Sequence, residues 1–188
     1  MRAISLISCV AKVAESMWLA RASEFLLPAL SPSQSGFRPA YSTVNTLQDV
    51  CDFVHRSLHE TGKAAAVLYD FQNAFDRCSH LEILLALSDS LPRYLLAWYD
   101  QYLKNRCAKA RSAPRWKVVK AGVPQGAPSS PLVFAAFAQK LLDRLQVECP
   151  SLLAAAYADD LTLVARGESW SIIEKDLVNA TRIVQEWC

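Results

Sequence analysis

Hydrophobic positions along this chain follow two periods, and the two alternate from one segment to the next. Leu6, Val10, Val13, Ala14 and Met17 recur at three- and four-residue steps, a helical period that predicts a helix over residues 6–26, stopped before Pro28. Ser42 or Thr43 is placed to cap a second helix, with Val44, Leu47, Val50, Cys51, Val54 and Leu58 on one face. Helical stretches are also expected over residues 81–87, then from Pro92 with Leu95, Trp98, Tyr99 and Tyr102 facing a core. Another starts near Ser129 to Pro131 and buries Phe134, Phe137, Leu141 and Leu145. The last pairs Ser171 with Glu174 as a capping box and carries Ile173, Leu177, Ala180, Val184 and Trp187 as its stripe.

Shorter runs read as strands. Residues 64–69 are apolar, follow Gly62, are too few for a helix and end on Asp70. Residues 152–157 and 161–165 flank Ala158-Asp159-Asp160 as a hairpin would, and residues 116–121 alternate as a half-exposed strand does. The Ser- and Pro-rich residues 31–42 and the Gly- and Pro-rich residues 122–128 are loops. This order of elements predicts an α+β fold, an antiparallel sheet with helices packed on one face.

The 188 residues, 52% of them hydrophobic, suffice for one cored domain of ordinary size. A formal net charge of +2 does not by itself point to nucleic acid, but the charge is unevenly spread. Between Asp100 and Asp143 there is no carboxylate, while Lys104, Arg106, Lys109, Arg111, Arg115, Lys117, Lys120 and Lys140 all fall there. A polyanion suits such a stretch, and so does plain solvation. The six cysteines form no C-x-x-C pair, so buried, reduced thiols and an intracellular compartment, nucleus or cytoplasm, are expected. Cys51, His55 and His59 lie in a row along the second helix, too extended for one tetrahedral ion. The apolar N-terminal residues are interrupted by Lys12 and Glu15, against a signal peptide, and no run is long enough to span a membrane.

The chemistry lies in the carboxylates. Asp70 closes one strand and Asp159-Asp160 sits inside an apolar hairpin. Taken singly, these read as a helix cap and a polar turn. If the strands are neighbours, three like charges converge, and hard divalent cations with oxygen ligands would relieve the repulsion.

The segment Tyr157-Ala158-Asp159-Asp160 resembles the Y-x-D-D motif of reverse transcriptases, and residues 67–76, with Asp70 and Phe75, resemble their first carboxylate motif. Residues 121–132, with Gln125 and Gly126, are similar to the motif between them, and Gln34-Ser35-Gly36-Phe37-Arg38-Pro39 is similar to a segment of non-LTR (LINE-type) retrotransposon enzymes, close to the ingi-like lineage. Four such motifs in the family's order cover nearly the whole chain. The resemblance implies a polymerase palm over residues 63–188, with partial fingers and connecting helices over residues 1–62.

It further implies RNA-directed DNA synthesis, with an RNA template, a DNA primer, deoxynucleoside triphosphates and two Mg²⁺ ions, or Mn²⁺ in their place. Asp70, Asp159 and Asp160 would be the catalytic carboxylates, joined at the metals by the Phe71 carbonyl. Phe75 would lie under the incoming sugar and reject a 2′-hydroxyl, Gln125 and Gly126 would line the nucleotide, and Arg2 would contact the triphosphate, although Ala3 stands where the family usually has proline. The family's finger lysine and thumb would fall outside these residues, so a truncated copy with weak or no primer extension is expected. A silent nucleic-acid-binding remnant and a phosphohydrolase on another fold are the competing classes.

Overall fold

A computed structural model of the chain describes residues 4–104, 106–110 and 114–188. In chain order the elements are α1 (Cys9–Ala29), α2 (Thr43–Glu60), β1 (Ala64–Asp70), α3 (Ala74–Arg77), α4 (His80–Ser88), α5 (Arg93–Leu103), β2 (Cys107–Ala108), β3 (Lys117–Val118), α6 (Ser130–Glu148), β4 (Leu153–Tyr157), β5 (Asp160–Arg166) and α7 (Trp170–Trp187). They gather into two compact units. One draws on the residues up to Ala29 and on Gln72–Phe137, the other on Leu30–Phe71 and Ala138–Cys188. Residues 30–62 belong with the sheet because their loop and α2 pack on it, whereas α3 to α5 follow β1 in sequence yet share a core with α1.

The second unit is built on an antiparallel sheet of order β1-β5-β4. Side chains alternate between its faces. Leu161 and Leu163 of β5 and Ala156 of β4 are buried with Leu141, Leu142 and Leu145 of α6 and with Ala180, Ile183 and Val184 of α7, and Tyr69, Phe71 and Trp187 pack against them. This is the helix-covered face the sequence anticipates. On the opposite face Arg166 stacks over the Phe53 ring of α2, 5.4 Å from its centroid, and pairs with Glu60. α2 thus adds cover near the end of the sheet away from Asp70. Past β4, the Ser35 N–H donates to the Ala156 carbonyl (2.9 Å) and the Ala156 N–H to the Ser33 carbonyl (2.7 Å), so the loop before α2 lies along that edge.

In the first unit Trp18 of α1 stacks against Tyr99 of α5 (centroids 4.6 Å apart) and Trp98 (5.8 Å), and its Nε1–H donates to the Leu95 carbonyl at 2.9 Å. Leu26, Ile83, Leu87, Val133 and Phe134 fill the same unit's interior.

Helix existence follows the sequence pattern, whereas the choice of buried face departs from it in two places. α1 starts at Cys9, after Leu6, and runs through Pro28 to Ala29 rather than stopping before the proline. It buries Glu15, Trp18, Ala22 and Leu26 and leaves Val10, Val13 and Met17 on the surface, while Leu6 ahead of it is 99% exposed. A helix apolar nearly all round has no periodic preference, so the large aromatic residue decides the face. α2 leaves Val44, Leu47, Cys51 and Leu58 exposed and turns Ser57 fully inward, beside half-buried Phe53 and Val54. α2 packs on β4 and β5 through this face, which carries Ser57, and its leucines stay outside. α7 is capped by Ser169, whose hydroxyl accepts the Ile172 N–H, two residues before the serine that the capping-box pattern selects.

Candidate active site

Pairing of β1 with β5 sets Asp70 directly opposite Asp160, and pairing of β4 with β5 sets Tyr157 opposite the same residue. Directly opposed residues in an antiparallel ladder project from the same face, with Cβ atoms about 4.5–5.5 Å apart. The two carboxylates therefore share a face and are both exposed. Beside them on that face Leu68 is 76% exposed, which leaves this end of the sheet open. Asp159, half-buried, precedes Asp160 in the two-residue turn Ala158–Asp159. Ala158 has φ 58°, left-handed backbone that costs a residue other than glycine about 1–3 kcal/mol.

The register brings two of the three carboxylates face to face and keeps the third in the turn. Among the described residues no three His, Cys, Asp or Glu side chains are grouped as a metal would need. Consecutive residues leaving a strand point in different directions, so Asp159 does not simply join Asp160 on its face.

What holds like charges together is the packing behind them. Opposed like charges cost at most about 1 kcal/mol, against about 1.5–3 kcal/mol for each fully buried Leu or Ile, and Leu163 and Ile183 are both fully buried under this sheet. At the end of β1, the Tyr69 hydroxyl and the Thr181 Oγ1 of α7 are hydrogen-bonded at 2.6 Å. Phe71, half-buried, meets Trp187 edge to face at 5.5 Å. The tip of β1 is thereby anchored on both sides of Asp70.

The first unit holds the other candidate residues. Phe75 stacks on Phe134 at 4.4 Å, and its carbonyl accepts the Val123 N–H at 2.8 Å. Gln125 donates from Nε2 to Asp76 Oδ2 (3.1 Å), and its carbonyl accepts the Ser5 N–H (2.8 Å). Phe75 and Gln125 are thus joined through one loop. Gly126 is exposed with φ 101°, a conformation that side chains rarely adopt, so the loop requires glycine there. Arg2 lies outside the described residues.

Sequence reasoning missed what secures this loop. Glu15 is 0% exposed, and its carboxylate accepts from the Ser129 N–H (3.2 Å), the Ser129 hydroxyl and the Tyr102 hydroxyl (3.2 Å). Ser130 Oγ donates to the Pro124 carbonyl at 2.8 Å. Burial, with the Glu15 carboxylate adding to it, pushes the Tyr102 phenol well above its ordinary range, so the phenol stays a donor. The Gly122 carbonyl is hydrogen-bonded to the His80 ring and accepts from Arg106 Nη1, both at 3.1 Å. Within the basic stretch Arg106 is engaged here, and Lys104 with Asp100 at 2.5 Å. Lys109, Arg115, Lys117 and Lys120 are exposed. A glutamate one turn before a tryptophan is ordinary on a surface helix, which is why Glu15 gave no signal.

The family model for reverse transcriptase (RNA-dependent DNA polymerase) matches residues 1–188. This chain belongs to the reverse transcriptase family. Among curated relatives, the reverse transcriptase domain is 28% identical over 203 residues to a probable RNA-directed DNA polymerase from transposon BS of Drosophila melanogaster, covering 100% of this chain and 22% of that protein. It is 30% identical over 187 residues to a putative 115 kDa protein of the type-1 retrotransposable element R1DM of Drosophila melanogaster, covering 99% of this chain and 18% of that one. The domain therefore spans about a fifth of the length of the relatives it matches. Its fold is similar to that of a telomerase from Candida albicans, with TM-score 0.61, 13% identity, and cover of 89% of this chain and 32% of the other. A telomerase from Candida tropicalis gives TM-score 0.59 at 11% identity, over 95% and 38%.

Reverse transcriptases use divalent metal ions, and the donor chemistry here suits one. The opposed Asp70 and Asp160 supply only hard oxygen ligands at an open edge. Mg²⁺ is usually held by one or two carboxylates, with waters and substrate phosphates completing its shell. A paired donor set without a closed cage of three side chains agrees with that habit.

Proposed function

We propose that this reverse transcriptase domain is the catalytic core of an RNA-directed DNA polymerase of a non-LTR retrotransposon, extending a DNA primer on an RNA template from deoxynucleoside triphosphates. The observation that carries the reading is the register of β1 on β5, which opposes Asp70 and Asp160 at the open end of the sheet. Asp70, Asp159, Asp160 and the Phe71 carbonyl are the residues that would hold two Mg²⁺ or Mn²⁺ ions. The chemistry they would supply there is neutralisation of the charge that develops on the primer 3′-oxygen and on the pyrophosphate.

The protein's own part is positioning. Tyr69 and Phe71 keep the end of β1 fixed against α7, so Asp70 presents its carboxylate without rearranging. Phe75, stacked on Phe134, would lie under the incoming sugar and reject a 2′-hydroxyl, and Gln125 and Gly126 would line the nucleotide. Exposed Lys109, Arg115, Lys117 and Lys120 give the backbone phosphates a salt-sensitive, sequence-independent surface. The setting is intracellular, in the nucleus or the cytoplasm.

The deciding assay is incorporation of labelled dTMP on poly(rA) primed with oligo(dT), with Mg²⁺ or Mn²⁺, by the wild type and by Asp70→Asn. Primer-dependent incorporation that falls by at least about 10²-fold in the variant is the expected result. RNA binding equal in both proteins, with no incorporation by either, would replace this reading with that of a silent nucleic-acid-binding remnant.

A further inference from the structure

We infer that Gln34 and Gly36 are positioning residues for the acidic turn: the Gln34 carboxamide holds Ala158 in its left-handed conformation and so sets where Asp159 points beside Asp160. The clamp stands on geometry alone, and only its consequence for turnover rests on the nucleotidyl-transfer reading.

Gln34 is 0% exposed. Its Oε1 accepts the Ala158 N–H at 3.1 Å and the Gly36 N–H at 2.8 Å, while its Nε2 donates to the Ala158 carbonyl at 3.4 Å. One primary amide, acceptor and donor at once, therefore engages both backbone groups of the turn residue. No other residue type of that length offers both functions without a charge. The approach is as close as a backbone permits: a Cβ on Gly36 would lie 2.2 Å from the Ala158 nitrogen and 2.9 Å from its Cα. Only glycine fits at residue 36 with the turn where it is.

The clamp is anchored independently of the turn it holds. The Ser31 N–H donates to Gln139 Oε1 at 2.6 Å, and Arg38 Nη1 donates to the Ser31 carbonyl at 3.0 Å. The Arg38 guanidinium lies over the Tyr41 ring, 4.4 Å from its centroid. Ser33 and Ser35 bracket Ala156 through backbone hydrogen bonds. A rigid loop thus presses one amide onto a turn whose first residue would otherwise relax away from φ 58°. Because Ala158 directly precedes Asp159, its backbone angles fix the direction in which that carboxylate leaves the turn, next to Asp160, whose face the ladder sets.

The test combines amide hydrogen exchange with metal titration in the wild type, in Gln34→Met, which keeps the length but neither hydrogen-bonding function, and in Gly36→Ala. In the wild type the Ala158 amide is expected to be protected despite its place in a turn. In Gln34→Met the Ala158, Asp159 and Gly36 amides exchange at least about tenfold faster, while those of Val67 and Leu163 keep their rates. Mn²⁺ affinity falls in step, and in primer extension kcat drops with the nucleotide KM nearly unchanged.

An unprotected Ala158 amide in the wild type, or exchange in Gln34→Met equal to the wild type, overturns the inference. Protection lost on substitution, in proteins that never extend a primer, leaves the clamp standing and removes the polymerase reading instead.

Discussion

At the scale of single residues, the opposition of Asp70 and Asp160 is the feature with the most direct consequences. Two exposed like charges across a ladder weaken it by a fraction of a kcal/mol or so, and a bound cation reverses the sign of that contribution. Asp160→Asn is expected to raise the melting temperature in metal-free buffer and to lose most of the stabilisation that Mg²⁺ gives the wild type. Differential scanning fluorimetry with and without Mg²⁺ checks both, and a wild type indifferent to Mg²⁺ and Mn²⁺ alike counts against a metal at this pair. Glu15 behaves in the opposite way, because it is buried. Glu15→Ala leaves the Ser129 N–H and hydroxyl and the Tyr102 hydroxyl without their acceptor, a loss of about 3 kcal/mol, read from the midpoint of urea unfolding.

At the scale of elements, the segment from α4 through the Gly122 loop carries a pH dependence. Burial of the His80 ring lowers its pKa below the ordinary 6.5, and the nearby Arg106 charge acts in the same direction, against the partly compensating hydrogen bond with Gly122. The unfolded chain then binds the proton more readily than the folded one. Stability is complete above pH 6.5 and declines as the pH falls below that value towards the folded pKa. His80→Gln is expected to remove this part of the decline in urea midpoints, and an identical pH profile in the variant would contradict it.

Elements themselves were largely legible. The short apolar run ending at Asp70 and the two runs around the acidic turn are the strands β1, β4 and β5, since strand length and flanking turn residues are local properties. The buried stripe of α6, with Phe134, Phe137, Leu141 and Leu145, is as its period predicts. Helix faces were less so. Val13 and Met17 are exposed and Glu15 is buried on α1, because the partners that decide the face come from α5 and the residues before α6, far along the chain.

At the scale of the whole molecule, the thiols offer a probe of both units. Burial pushes the Cys78 thiol up to about 12, and the thiol donates to the Ala74 carbonyl at 3.0 Å. Burial likewise raises Cys149, whose sulfur accepts from Asn179 Nδ2 at 3.3 Å. None of the six cysteines is in a disulfide, and only these two are buried. An alkylating reagent near neutral pH is expected to modify Cys9 and Cys51 in the native protein and to reach Cys78 and Cys149 only after denaturation. Mass mapping of the modified peptides checks this, and early labelling of Cys78 would mean that the core around α3 and α4 opens readily. Among the described residues, no helix is long and apolar enough to cross a membrane.

The amino-acid sequence by itself determined the elements, their order and the residue types that mark the chain as a reverse transcriptase, because strand length, helix period and motif spacing are properties of neighbours along the chain. Tertiary structure decided which carboxylates face one another, which side of each helix is buried and that Gln34 reaches Ala158. Those depend on register and on contacts between residues more than a hundred positions apart, and no local pattern encodes them.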